Sequence, residues 1–288
     1  MIEIVFLLSL AFIWLLFASF QDIKDNEVAN WISLSLIVFA LGFRFFYGLF
    51  SSAGFGLFYQ GLVGVGIFFI LGNLFYYSKL FAGGDAKLLI ALGAIIPLSE
   101  SFVQNIFYML YFLLLFFFAG AFYGIITSLF LLSRNLKGFK KEFKKRFKVM
   151  KNVIYLNVFF ALFLIVLGLS EISFLFLGVL ILAMPFLYLY AKSVDEACCI
   201  KSVPVSKLEY GDWLYEDVKI PVKRKSKNKK SKFVRATWEG LSEEDIKLLN
   251  KKFKKNKKIK IRQGIAFVPA MLIGFALFVI FFFLTVFF

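Results

Sequence analysis

Apolar runs separated by short polar stretches set the pattern of this chain. They lie near Ile4 to Phe20, Trp31 to Phe50, Phe55 to Ser78, Ala86 to Pro97, Phe102 to Leu132, Val153 to Leu169, Ile172 to Tyr190 and Ile265 to Phe288. A helix needs roughly 20 apolar residues to cross a bilayer, so the pattern predicts about eight membrane segments. The fourth run is short for a full crossing, which predicts a segment packed inside the bundle or completed by the residues around Leu98. Between Lys192 and Arg262 the pattern changes. SVPVSKL and DWLYEDVKIPV read as short strands of a small sheet. LSEEDIKLLNKKF reads as a helix with Ser242 and Asp245 at capping-box spacing. The expected fold is an all-α polytopic membrane bundle of about eight apolar segments, with a small α+β cytoplasmic domain before the last helix.

Composition removes any soluble alternative: 61% of the 288 residues are hydrophobic and 42 are phenylalanine, with mean hydropathy +0.82. The charge of +16 is unevenly placed. Of 34 Lys and Arg, 9 lie in 134–151 and 21 in 192–262. Cytoplasmic loops retain such cations. Both segments are therefore expected inside, and counting crossings back from Arg134 puts the amino terminus and the cation-free loops 48–54 and 98–101 outside. MIEIVFLLSLAFIWLLFASF lacks a basic start and reads as a retained first helix. Charge of this kind points to anionic lipid rather than nucleic acid. Phe139, Phe143 and Phe147 recur every fourth residue among lysines, predicting a basic helix with one apolar edge lying on lipid. KRKSKNKKSK reads as a flexible loop. Arg44, near the outer end of the second run, is expected to snorkel outward. The glycines at 61, 64, 66 and 72 are expected to allow close helix packing.

Candidate chemistry begins with what is missing. The chain has no histidine, which removes Ser-His and Cys-His triads and H-E-x-x-H zinc sites. Cys198 and Cys199 are neighbours that cannot bridge comfortably, so they are expected as reduced thiols with no metal. Ser78 and Lys79 are adjacent and point in different directions on a helix. Asp212, in the turn EYGDWL, reads as structural. Carboxylates remain. In FAGGDAKLL, Asp85 follows Gly83 and Gly84, which are expected to shape a turn or allow close approach of another chain; Asp85 itself reads equally as a helix cap. In FQDIKDNEVANW, Asp25 and Glu27 suit a solvated loop, whereas Asp22 continues the first helix at the membrane boundary. If their helices pack together, Asp22 and Asp85 can share one proton, one activating water while the other polarises a peptide carbonyl. That is the chemistry of aspartic proteolysis. No cofactor is required.

FQDIKDNEVANW and AGGDAKLL together resemble the paired motifs of the archaeal type IV prepilin and preflagellin peptidases, in which an aspartate opens D-I-K-x-x-x-(I/V)-P-N and a second closes G-x-G-D-x-K. The resemblance implies Asp22 and Asp85 as the catalytic pair, with Asn30, Gly84, Lys24 and Lys87 at flanking motif positions. Ala82 stands where the motif has its first glycine, Gly83 at its variable position, and Ala29 where it has proline. GIAFVPAMLIGF is similar to the ending of many members, and SKLEYGDWLYEDV resembles an accessory module of some archaeal ones. The resemblance further implies removal of leader peptides from prepilin-like or preflagellin precursors at the cytoplasmic face, with Asp25 and Glu27 attracting the leader's cations. Two other readings use the same acids: a presenilin-like intramembrane protease, which needs both deeper in the bilayer, and a proton- or cation-coupled transporter, which calls for repeats not seen here. The expected division is a catalytic core over 1–133, a basic amphipathic loop over 134–152, a hairpin over 153–191, an accessory domain over 192–263 and a last helix over 264–288. Oligomeric state is left open.

Overall fold

The structure, a computed structural model, describes residues 2–51, 54–220, 233–237, 240–254 and 256–287. The lysine-rich run 223–232 lies outside the described residues. The chain divides into two units, Met1–Ile126 with Ile265–Phe288, and Thr127–Gly264. Among the described residues seven helices are long and apolar enough to cross a membrane. The chain is a multi-pass membrane protein.

The first unit contains α1 (Ile2–Asp25), α2 (Asn30–Phe50), α3 (Gly56–Tyr77), α4 (Gly83–Leu92), the first part of α5 (Phe102–Arg134) and α9 (Val268–Phe287). Long apolar side chains such as Phe17, Ile70 and Leu114 remain exposed on its outside, as a lipid-facing surface requires. Inside, Phe68, Phe112, Phe116, Phe275 and Phe278 are fully buried and interlock, with Phe112 and Phe116 rings stacked at 6.0 Å. α1 packs against α2 and α9, while α4 packs against α2 and α3.

At about 1.5 Å per residue, the ten residues of α4 rise only about 15 Å, half of a hydrocarbon core. The segment is enclosed, Leu88, Leu89, Ala91 and Leu92, and then Ala94, Ile95 and Ile96, having no exposed surface, and the residues around Leu98 continue it beside α3 until Glu100 lies against Gly56. Close approach is secured by missing side chains. A Cβ on Gly64 of α3 would collide with the Gly93 carbonyl oxygen and lie 2.6 Å from Pro97 Cγ. The glycine-studded third span thus packs tightly, and its partner is α4.

Arg44 corrects the expectation of an outward-reaching side chain. It is 2% exposed, and its guanidinium donates to the carbonyls of Ala94 at 2.9 Å, Leu57 at 2.8 Å, Ile95 at 3.1 Å and Pro97. The irregular backbone after α4 has carbonyls no helix can satisfy, and inside a bilayer each unpaired one is costly. The fork of N–H groups on one arginine meets them together.

The second unit is built on a helical hairpin, α6 (Leu136–Leu167) and α7 (Ile172–Cys198), joined by a four-residue turn. Asn135 caps α6 by accepting from the Gly138 N–H at 3.2 Å. The basic stretch and the apolar run that follows it are one continuous helix, since no glycine or proline interrupts them after Gly138. Nor is its apolar edge left to lipid alone: Phe139 packs on Phe143 and on Tyr190 of α7. Beyond α7, strands β1 (Ile200–Pro204), β5 (Lys258–Arg262) and β2 (Trp213–Leu214) form an antiparallel sheet in the order β1-β5-β2. A two-stranded ribbon pairs β3 (Val218–Lys219) with β4 (Phe233–Val234). The helix expected near Ser242 is α8 (Glu243–Lys252), with both hydrogen bonds of its capping box formed. Val205, Leu214, Val234, Leu249, Ile259 and Ile261 close a small core. Glu196, at the end of α7, accepts from Arg146 of α6 and from Tyr215 just after β2, tying sheet to hairpin.

Candidate active site

The buried stripe of α1 runs Leu7, Leu8, Ala11, Leu15, Ala18, Ser19 and Asp22. That spacing of three and four residues keeps one face toward the bundle, and Asp22 is its last member. A carboxylate thus occupies an apolar helix position, where it is 5% exposed. Its Oδ2 accepts from the backbone N–H of Val268 at 2.9 Å. Val268 opens α9, so Asp22 caps a helix 246 positions away in the chain.

Asp85 stands in the first turn of α4 and is 9% exposed. From the third helical position its carboxylate lies at the positive end of that helix. The Asp22 charge acts on it. Two buried carboxyl groups, one from the end of α1 and one from the start of α4, stand within electrostatic reach of each other in an otherwise apolar interior.

Gly83 and Gly84 are not turn residues. Both lie in the first turn of α4, and the described glycines with positive φ are Gly54, Gly211 and Gly240. Close approach accounts for Gly84 alone: a Cβ there would lie 3.2 Å from Val28 Cβ and 3.3 Å from Val28 N. At Gly83 the nearest atom would be Tyr76 Cε2 at an ordinary 3.6 Å. Lys87 Nζ donates to Asn30 Oδ1 at 2.7 Å, fastening α4 to the first residue of α2.

A family model for the type IV leader peptidase family matches residues 9–125. Over that stretch the chain is similar to the type IV leader peptidase family. Three preflagellin peptidases are similar to it. The one from Methanococcus maripaludis strain C6 is 30% identical over 129 residues, covering 42% of this chain and 55% of the relative. That from Methanococcus voltae is 34% identical over 130 residues, covering 42% and 54%. That from Methanocaldococcus jannaschii is 36% identical over 87 residues, covering 30% and 36%. The chain thus spans about half the length of the curated relatives it matches, or less. No solved structure matches it.

Asp22 and Asp85 both fall inside the leader peptidase segment, as do Asn30, Gly83, Gly84 and Lys87. The structure brings the two acids together and fastens the other four around α4. It leaves Lys24 and Asp25 exposed in the last turn of α1, beside Asp22 in sequence and away from its buried face. Three contributors to the site escaped the sequence reading. Gln21 Oε1 accepts from the Ala29 N–H at 3.1 Å and shapes the turn between α1 and α2. The Phe81 ring packs on Phe75, Phe116 and Phe267. The backbone N–H of Val268 holds Asp22. For the last no local signal exists, because an N–H group is common to nearly every residue. The burial of Asp22, by contrast, was readable from the 7–11–15–18–22 spacing.

Proposed function

We propose that this chain is a membrane aspartic endopeptidase that removes leader peptides from preflagellin or type IV prepilin-like precursors at the cytoplasmic membrane face. The single observation carrying the reading is the pair of buried carboxyl groups, Asp22 and Asp85, within a segment of the leader peptidase family. The names of its relatives supply the substrate class.

In this reading the ionised carboxylate takes a proton from a water molecule as its oxygen attacks the peptide carbon. The protonated partner hydrogen-bonds the carbonyl oxygen and stabilises the negative charge that gathers there. Collapse of the tetrahedral intermediate breaks the C–N bond, with a proton passing to the departing amine. Gly84, Asn30 and Lys87 keep α4 against the α1–α2 turn, so Asp85 stays near Asp22. Gly83 supports the same turn of helix. Exposed Lys24 and Asp25 meet the substrate's leader at the rim, where Asp25 attracts its basic residues. The uneven distribution of Lys and Arg supports an orientation with the amino terminus outside and the 134–151 and 192–262 stretches inside, against anionic lipid.

The test is co-expression with a preflagellin precursor, following loss of the leader by gel mobility. Asp22→Asn and Asp85→Asn each abolish processing while inserting at wild-type levels, and Asp25→Asn reduces it. Processing that survives Asp22→Asn or Asp85→Asn would overturn the assignment.

A further inference from the structure

The last helix begins at the candidate catalytic pair, outside the leader peptidase segment. The first N–H groups of a helix have no partner within it, and they carry the positive end of its dipole. One of those at the start of α9, from Val268, is satisfied by the Asp22 carboxyl group. The contact is enclosed, since Val268, Ala270 and Met271 have no exposed surface. The same corner reaches the other half of the site. The Phe267 ring packs on Phe81, four residues before Asp85, at 5.4 Å and on Phe116 at 5.7 Å. Gly120 makes room for it: a Cβ there would lie 3.1 Å from Phe267 Cζ. One short piece of backbone therefore touches both acid-bearing segments, and α9 packs along α1 below it.

We infer that the amino-terminal end of α9 is a positioning element of the active site: the N–H group of Val268 fixes the rotamer of Asp22 while the Phe267 ring holds the segment leading into Asp85. A fixed donor suits the acceptor-only carboxylate and restricts how that side chain turns. Without it the carboxyl group is free to turn, and a displacement of about 1 Å at a reacting group costs on the order of 100-fold in rate. The inference rests on the peptidase reading for its kinetic consequences and on the hydrogen bond alone for its structural ones.

Val268→Pro deletes that donor at a helix position that tolerates proline. In detergent-solubilised full-length protein cleaving a preflagellin precursor, it should lower kcat about 10- to 100-fold with KM unchanged. Val268→Ala, which shortens the side chain and keeps the N–H, should retain several-fold more kcat than Val268→Pro. Equal kcat in the two variants, or a loss expressed in KM, would overturn the inference. If Val268→Pro does not insert, amide hydrogen exchange over residues 267–268 decides: Asp22→Ala should speed it about tenfold, and an unchanged rate overturns the inference. If the wild-type chain leaves the precursor intact, the peptidase reading fails separately, and the exchange measurement still decides whether α9 is held by Asp22.

Discussion

Removing the Arg44 guanidinium should loosen the whole first unit through α4. In Arg44→Met the apolar stem is approximately replaced, and the carbonyls of Ala94, Ile95 and Pro97 lose their donor, while that of Leu57 keeps its place in the α3 ladder. A buried acceptor left unpaired costs about 1–3 kcal/mol, so three give an upper range of about 3–9 kcal/mol. Part of this is recovered, because the variant no longer buries a cation. Relaxation of the 93–98 backbone recovers more. A net loss of about 3–5 kcal/mol is expected, the scale found when one partner of a buried charged network is removed. In thermal unfolding of the detergent-solubilised protein that corresponds to a fall of roughly 10 °C, by analogy with soluble domains. Arg44→Lys should fall between, since an ammonium keeps the charge and offers three donors from a single point instead of a planar fork. Asp85 is carried on the same short helix, so precursor cleavage should fall in the same order, wild type above Lys above Met. A Met variant that melts within 2 °C of wild type, a shift of order 0.5 kcal/mol, would refute the claim that these carbonyls depend on Arg44.

Two further outcomes follow from the packing and the thiols. Gly64→Ala should destabilise the first unit by about 1–3 kcal/mol, the usual cost of overpacking, because the added methyl meets backbone at Gly93 and the ring of Pro97; Gly66→Ala, with open space around it, should be nearly neutral in the same melt. Burial, reinforced by the Asp195 carboxylate, pushes the Cys199 thiol up to about 11. A raised value means the reactive thiolate forms only as pH approaches 11, so in a Cys198→Ser background alkylation at pH 8 should run about two orders of magnitude slower than for an ordinary thiol of pKa near 8.5. Asp195→Asn should accelerate it, and labelling at the ordinary rate would show Cys199 to be freely hydrated.

The amino-acid order alone determined the elements that depend on neighbouring residues. Apolar runs long enough to span a bilayer announced seven helices, and the short run after Asp85 announced a segment either enclosed or completed by the residues around Leu98. Ser242 and Asp245, three apart, announced the cap of α8. Spacing along α1 put Asp22 on the inward face. These are legible because a helix repeats within four residues, so the chain itself carries the geometry. What only the tertiary structure decided were the partners of polar groups. Arg44 near a helix end reads as a residue bound for water until the carbonyls of α4's ending, 50 positions later, are set beside it. The glycines before Asp85 read as a turn until Val28 is found against one of them. No property of residue 22 or of residue 268 anticipates their hydrogen bond: a side-chain acceptor can be met by any backbone N–H that folding delivers, and in an apolar interior, where water cannot serve, burial makes that one meeting decisive.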